Sequence, residues 1–166
     1  MQTGTQIGTW FSRAALAAFA LLAGACDTPN YSTAAAQPSG ETFKDFGNYE
    51  VHFNAIRTDS LTPDIARAYD IRRASNRIML NVAVLAKQAD HVPRKPVEAD
   101  VQVDAYNLNG QLKNFQMRRV SEGEAIYYIG EISISGQEIL VFDISVRPAG
   151  ETSTFEVKFK REFFSG

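Results

Sequence analysis

The sequence predicts an all-β domain that folds as an antiparallel two-sheet sandwich of the immunoglobulin-like kind, with a small β-barrel as the alternative. Three observations favour this fold class. Apolar and polar residues alternate in several short runs, the runs recur about every ten residues, and turn-forming residues separate them. The pattern indicates about seven strands in a domain of residues 43–166, with one short helix between strands one and two.

The first two predicted strands flank the only helical signal. Residues 49–55 and residues 78–84 each alternate between apolar and polar side chains. Between them, Thr62, Pro63 and Asp64 provide a capping hydroxyl, a proline suited to the first helical position and an acid for the first turn. We therefore expect a helix to begin at this point.

The remaining strands follow at similar intervals. Residues 97–105 show the clearest alternation and precede Asn109-Gly110, a strong hairpin signal. Residues 111–120 are predicted as a fourth strand, with a bulge where the apolar residues change parity. The last three predicted strands cover the following apolar runs: residues 125–134, 140–146 and 155–159.

The N-terminal segment has the layout of an export signal. Residues 1–13 are mostly polar with one cation, and residues 14–22 form a short uncharged apolar run. This pattern predicts a signal peptide of residues 1–25. The apolar run is shorter than the roughly 20 residues that cross a bilayer, so we expect the mature chain not to span one.

The only cysteine, Cys26, directly follows this segment. Residues 22–25 and Cys26 resemble a bacterial lipobox, in which the thiol accepts a diacylglyceryl group. We therefore predict a membrane-anchored periplasmic lipoprotein, with residues 26–42 as a flexible tether rich in Pro, Ser, Thr and Ala. Ala23-Gly24-Ala25 is also an ordinary A-x-A cleavage site, which leaves a soluble periplasmic protein as the alternative.

Composition and motifs argue against several functions. The formal net charge is −2, so no positive field is available to bind nucleic acid. The sequence contains no G-x-S-x-G, S-x-x-K, H-E-x-x-H or G-x-G-x-x-G motif, so we expect neither a catalytic set nor a cofactor. With only two histidines, His52 and His91, the ligands for a metal site are too few, and we expect none.

Three polar residues are the candidate site. On the first two predicted strands, His52, Asn54 and Asn81 project from the face opposite the predicted core. They are consistent with a polar recognition patch on that face. The alternative is structural, with the imidazole and the amides linking strands or holding the segment that contains the helix.

Five segments, residues 46–55, 61–69, 81–85, 123–128 and 142–148, resemble the domain of unknown function 4426 family. The similarity runs from about residue 43 to the C-terminus. The resemblance implies a small exported protein of a Gram-negative bacterium. It implies no particular activity and no catalytic residue.

Together, these observations predict an exported non-catalytic module that is lipid-anchored at Cys26. We expect it to bind or support another envelope protein through loops or an exposed strand edge. The alternative is a small-ligand carrier or an enzyme with an unrecognised site near His52.

Overall fold

The computed structural model describes residues 40–89 and 92–166. In these residues, two antiparallel sheets confirm the predicted sandwich. The larger sheet has the strand order β1-β2-β3-β7-β6, with β4 beside β3, and the smaller sheet has the order β5-β8-β9. The strands are β1 (Phe43–Phe46), β2 (Tyr49–Arg57), β3 (Arg77–Ala86), β4 (Lys95–Pro96), β5 (Ala99–Asn107), β6 (Arg118–Glu122), β7 (Ala125–Ser133), β8 (Gln137–Pro148) and β9 (Phe155–Phe164).

Several predictions fall outside the described residues. The predicted signal peptide, Cys26 and most of the predicted tether lie in residues 1–39, and His91 lies in the gap at residues 90–91. These remain expectations from the sequence.

The core lies between the two sheets and follows the period-two patterning. Successive strand residues point to opposite faces, so each strand contributes every second side chain to the interior. Three phenylalanines join the sheets at its centre: the rings of Phe53 and Phe159 are 4.8 Å apart, and those of Phe159 and Phe142 are 4.9 Å apart. The fully buried aliphatic residues that surround them are Val51, Ala55, Ile78, Leu80, Val82, Val84, Leu140, Ile144 and Val146.

The predicted helix is present between β2 and β3 as α1 (Pro63–Ala68). Thr62 Oγ1 caps it by accepting the Ile65 N–H at 3.3 Å. At the other end, Ile71 N–H donates to the Ala66 carbonyl at 2.8 Å and Asp70 adopts a φ of 50°, which is a Schellman ending. Within residues 40–89 and 92–166, no helix is long and apolar enough to cross a membrane.

The segment of residues 58–76 that contains α1, here called the crossover segment, covers part of the outer face of the larger sheet. A second apolar cluster lies beneath it, formed by Ala66, Ile71, Met79 and Ile129. The start of the segment is held by Thr58, whose buried hydroxyl accepts the Ala74 N–H at 3.0 Å and lies 2.9 Å from the Arg72 carbonyl oxygen.

The prediction of a fourth strand at residues 111–120 is wrong over most of that range, because the strand found there is Arg118–Glu122. The Asn109-Gly110 turn does form, with Gly110 N–H donating to the Asn107 carbonyl at 2.9 Å. After a single bridge between Tyr106 and Leu112, however, the chain leaves β5 and joins the other sheet, where β6 pairs with β7. A local hairpin signal cannot report this change of sheet, because the pairing partners are distant in sequence.

The structure also has two short strands that the sequence patterning did not predict. β1 pairs with β2 over four residues, and β4 pairs with β3 over two. Such short segments contain too few alternations to produce a period-two signal.

Candidate functional site

A recess opens between the crossover segment and the outer face of the larger sheet, with a volume of about 230 Å³. The crossover segment contributes one wall, formed by Leu61, Ile65, Tyr69 and Ile71. The sheet contributes the floor, formed by Met79, Asn81, Tyr127 and Ile129. We call this feature the Asn81 recess. A mostly apolar concavity with a few polar groups, here the Asn81 amide and the hydroxyls of two tyrosines, is typical of sites that bind an apolar ligand in a defined orientation.

The register of the sheet places the floor residues together. Asn81 of β3 is directly opposite Ile129 of β7, and Met79 and Tyr127 point to the same outer face because each is two residues from one of this pair. The floor is therefore built on two adjacent, hydrogen-bonded strands, β3 and β7, that hold it rigidly.

The wall of the Asn81 recess is attached to β6 through Tyr69. Its hydroxyl donates to Glu122 Oε2, and its carbonyl oxygen accepts a hydrogen bond from Arg118 Nη2. The hydrogen bond to the Glu122 carboxylate, together with burial, raises the pKa of the Tyr69 phenol. These two contacts fix the position of the crossover segment above the floor.

Asn81 is the unusual member of this site. Its Oδ1 atom is shielded from solvent and has no hydrogen-bond partner among the described residues. Its cross-strand neighbour on β2 is Asn54, which already has another partner, because Asn54 Oδ1 accepts a hydrogen bond from Arg161 Nη1 at 2.7 Å. Its other neighbour, Ile129, has no side-chain donor. A buried acceptor without a partner lowers the free energy of unfolding by about 1–3 kcal/mol, so Asn81 is destabilising at this position.

A second polar feature, the Glu50 cluster, consists of Glu50, His52 and Arg94. The Glu50 side chain is only 4% exposed, and its Oε2 atom lies 2.6 Å from Arg94 Nε and 3.0 Å from His52 Nε2. Burial acts to raise the pKa of Glu50, but the hydrogen bonds from Arg94 and His52 outweigh it and hold this pKa below its usual range. The ring of Phe43 stacks on His52 at 5.3 Å.

The Glu50 cluster connects β2 to the segment before β4. In the described residues, no hydroxyl or thiol is hydrogen-bonded to His52 as a nucleophile would be. Across those same residues, no group of three or more His, Cys, Asp and Glu side chains is placed to hold a metal ion. The contacts of Glu50 with His52 and Arg94 instead form a network of charge-assisted hydrogen bonds.

The three predicted site residues share the outer face of the larger sheet but contact different partners. Asn54 and Asn81 are opposite each other in the pairing of β2 with β3, and His52 is opposite Ala83. Only Asn81 lines the recess. The sequence reasoning missed the wall residues, although the i, i+4, i+8 spacing of Leu61, Ile65 and Tyr69 is a signal that identifies one side of a helical segment.

Three backbone carbonyls on β2 and β9 accept hydrogen bonds from side chains. From β1, Lys44 Nζ donates to the Glu156 carbonyl of β9 at 3.3 Å. Between β2 and β9, Arg57 Nη1 donates to the Phe164 carbonyl at 3.0 Å and Arg161 Nη1 to the Ala55 carbonyl at 2.5 Å. These contacts use carbonyl groups that an added strand would need.

The fold and the site define a small β-sandwich domain with an apolar recess on the outer face of its larger sheet. The family model described as "Domain of unknown function (DUF4426)" matches residues 43–166, and the chain belongs to this family.

One solved structure supports this assignment, and a second shares the fold. The crystal structure of a DUF4426 family protein from Pseudomonas aeruginosa PAO1 is similar, with 35% sequence identity, a TM-score of 0.63, and coverage of 75% of this chain and 94% of that chain. A copper-bound variant of FetP from uropathogenic Escherichia coli strain F11 shares the fold, with 9% identity, a TM-score of 0.51, and coverage of 73% and 93% of the two chains. A search of the curated proteins found no match.

The unpartnered amide of Asn81 leads to a stability prediction. We expect Asn81→Leu to raise the free energy of unfolding by about 1 kcal/mol, because it replaces an unsatisfied buried acceptor with an apolar side chain. Asn54→Leu is the matched control on the neighbouring strand, and it should destabilise because it removes the acceptor of Arg161. Urea unfolding of both variants measures this. A loss of stability in Asn81→Leu comparable to that in Asn54→Leu would contradict the prediction.

The Glu50 cluster leads to a prediction about pH. Because the pKa of folded Glu50 is lowered, its contribution to stability is present above its ordinary pKa of about 4.3 and is lost as the pH falls through the folded value. At neutral pH we expect Glu50→Gln to lower the free energy of unfolding by roughly 1.5–3 kcal/mol, the range for hydrogen bonds to a charged group.

Urea unfolding of wild type and Glu50→Gln from neutral pH down to about pH 3 checks this, and the difference between them should shrink as the pH falls below about 4. Glu124→Gln, which removes one negative charge from an exposed turn, is the control. A difference between wild type and Glu50→Gln that is independent of pH would show that Glu50 is not held ionised by its partners.

Proposed function

We propose that this chain is an exported, non-catalytic module that is anchored to a bilayer through a lipid on Cys26 and binds another protein of the cell envelope. The export signal and the lipobox-like residues before Cys26 support the proposed export and membrane anchoring. The Asn81 recess supports the binding role and is the observation on which the proposal depends.

The occupant that best suits the recess is one apolar side chain of a partner protein. The centre of the site is apolar, and it is flanked by charges of both signs, with the exposed pair Asp64 and Arg67 on α1 and Arg118 and Glu122 on β6. An apolar centre with a polar rim is the usual anatomy of a protein interface. An anionic lipid surface, in contrast, is attracted by basic residues alone.

The occupied edges also favour this face. The larger sheet and β9 have backbone carbonyls that already accept side-chain hydrogen bonds from Lys44, Arg57 and Arg161. Ile65, in contrast, is 44% exposed beside the recess and is available for contact. We therefore assign docking to the outer face of the larger sheet instead of a strand edge.

The FetP variant is copper-bound, but the present chain supports no copper proposal. A fold likeness at 9% identity does not transfer a ligand. In this chain, Glu50 Oε2 already contacts both Arg94 and His52, and a neighbouring guanidinium disfavours binding of a cation.

Site-specific photo-crosslinking in cells tests the docking face. We expect a photoreactive residue in place of Arg67 to form one dominant adduct with an exported protein, and Ile65→Asp to abolish that adduct because it charges the edge of the apolar recess. The same photoreactive residue in place of Lys160, which is exposed on the smaller sheet, is the control.

Three outcomes of the crosslinking would overturn the docking proposal. The first is an identical set of adducts from both positions, and the second is an adduct that survives Ile65→Asp. The third is an adduct only between two copies of this chain, which would indicate self-association.

The lipid anchor is tested separately by Cys26→Ser. We expect wild type to fractionate with membranes and to begin at a diacylglyceryl-modified Cys26, and the serine variant to lose both properties because an alcohol does not replace the thiol nucleophile. Intact mass of the mature N-terminus measures this. An unmodified wild-type chain that begins at or after residue 26 would instead identify a soluble periplasmic protein.

A further inference from the structure

The outer face of the smaller sheet has a polar half and an apolar half. This face is formed by the side chains that alternate with the core residues of β5 and β8. Near the start of β5 the cross-strand pairs are charged or polar: Asp100 with Arg147, Gln102 with Ser145, and Asp104 with Asp143. Near its end, Tyr106 pairs with Val141, and Ile139 is the next outward residue of β8. The face therefore changes from charged to apolar along the strands.

Three exposed side chains extend the apolar half. Leu112 is 72% exposed, Leu108 64% and Phe164 53%, the highest values among the large apolar side chains of residues 40–89 and 92–166. A bridge pairs Leu112 with Tyr106 of this face. Leu108 lines a hollow together with Gln137, and Phe164 is directly opposite Gln137 on β9. We call Leu108, Leu112 and Phe164 the apolar patch, and exposed apolar groups of this kind mark contacts with proteins or membranes.

The apolar patch projects from the surface, in contrast to the Asn81 recess. Leu108 and Leu112 flank the Asn109-Gly110 turn, which extends beyond the end of β5. The adjacent hollow is lined mostly by polar side chains: Asn107, Asn109, Gln137, Glu138 and Glu162. Projecting leucines beside polar groups suit a lipid surface, because the acyl chains bury the leucines while the polar groups stay hydrated among the headgroups.

The chain enters the domain from the end that carries the apolar patch. Because β1 is antiparallel to β2, the residues before β1 lie toward the Arg57 end of β2. The Thr42 carbonyl accepts the Phe53 N–H at 2.8 Å, which continues this direction. At the same end, Arg57 Nη1 donates to the Phe164 carbonyl at 3.0 Å. An N-terminal anchor is therefore connected to the patch end of the sandwich.

The length of the connection brings this end within reach of a bilayer. Residues 27–39 separate Cys26 from the first described residue, and a coil of that length spans about 20 Å. Such a link gives an effective concentration in the millimolar range, so a weak apolar affinity is enough to hold the patch on the lipid. A free protein needs basic residues to reach an anionic surface, whereas an anchored domain does not.

We propose that the apolar patch is a bilayer-contact surface on which the anchored domain rests, with Leu108, Leu112 and Phe164 in the lipid. This inference rests on the proposed anchor at Cys26 and adds an orientation to it. The larger sheet is on the opposite side of the sandwich, so its outer face points away from the lipid. In this orientation the Asn81 recess is open to a partner protein.

Quenching of tryptophan fluorescence by brominated lipid tests the contact. The only tryptophan, Trp10, lies in the predicted signal peptide, so the mature chain of residues 26–166 has none. Its only thiol, Cys26, couples this chain to a maleimide lipid in vesicles of phosphatidylethanolamine and phosphatidylglycerol. Leu112→Trp places the probe in the patch, and Gln102→Trp is the matched control on the exposed polar half of the same face.

We expect brominated acyl chains to quench Leu112→Trp and to leave Gln102→Trp almost unchanged, because bromine quenches at contact distance. Adding Leu108→Asp to Leu112→Trp should lower the equilibrium constant for contact about tenfold, since it removes one leucine from the lipid and puts a charge there. Leu108 is exposed in the fold, so an unchanged urea midpoint is expected for Leu108→Asp. Equal quenching at positions 112 and 102, no quenching at position 112, or quenching that survives Leu108→Asp would overturn the proposal.

Chemical coupling separates this test from the test of the anchor. If cells leave Cys26 unmodified while the coupled chain is quenched at position 112 alone, the anchor proposal fails and the patch stands as a lipid-contact surface. If Cys26 carries a diacylglyceryl group while the coupled chain shows no selective quenching, the anchor stands and the contact surface is wrong.

Discussion

The pairing of β3 with β2 on one side and with β7 on the other determines both the core and the recess. Ile78, Leu80, Val82 and Val84 are fully buried on the inner face of β3, while Met79 and Asn81 occupy the outer face. Because side chains alternate along a strand, a shift of one residue would exchange the two sets and bring Asn81 into the core. Because that exchange would expose the apolar residues and bury the Asn81 amide, it is unfavourable, and the register is therefore fixed. The register in turn places Asn81 opposite Ile129.

The recess exists because the crossover segment covers the outer face incompletely. α1 has only six residues, and Ala66 is its one buried side chain, so the helix cannot seal the sheet beneath it. The segment is nevertheless anchored at its start by Thr58 and near its middle by the contacts of Tyr69 with β6. A wall held at separate points above a rigid floor keeps a defined concavity, and such preorganisation would lower the entropy cost of the proposed docking.

The predictable parts of this molecule are those whose signals are local. The alternation of apolar and polar residues along β3 and the helix cap at Thr62 each depend on a few adjacent residues, and both are present in the structure. Residues 111–117 were mispredicted because the choice of sheet depends on distant strands. The same limit applies to the site, because Asn54 and Asn81 look equivalent in the sequence. Only the fold shows that Arg161, 107 residues away, bonds to Asn54, while Asn81 Oδ1 has no donor in residues 40–89 and 92–166.

An unsatisfied amide beside an apolar recess bears on the selectivity that the proposed docking would have. A site that relies on apolar contact alone discriminates weakly between ligands of similar size, because one methylene changes affinity only modestly. A site with a buried acceptor rejects ligands that lack a donor, since the acceptor then stays unpaired. Leucine at position 81 would increase stability, because it removes the unpaired buried acceptor. Asparagine at this position therefore lowers the stability of a strand whose register is set by apolar burial.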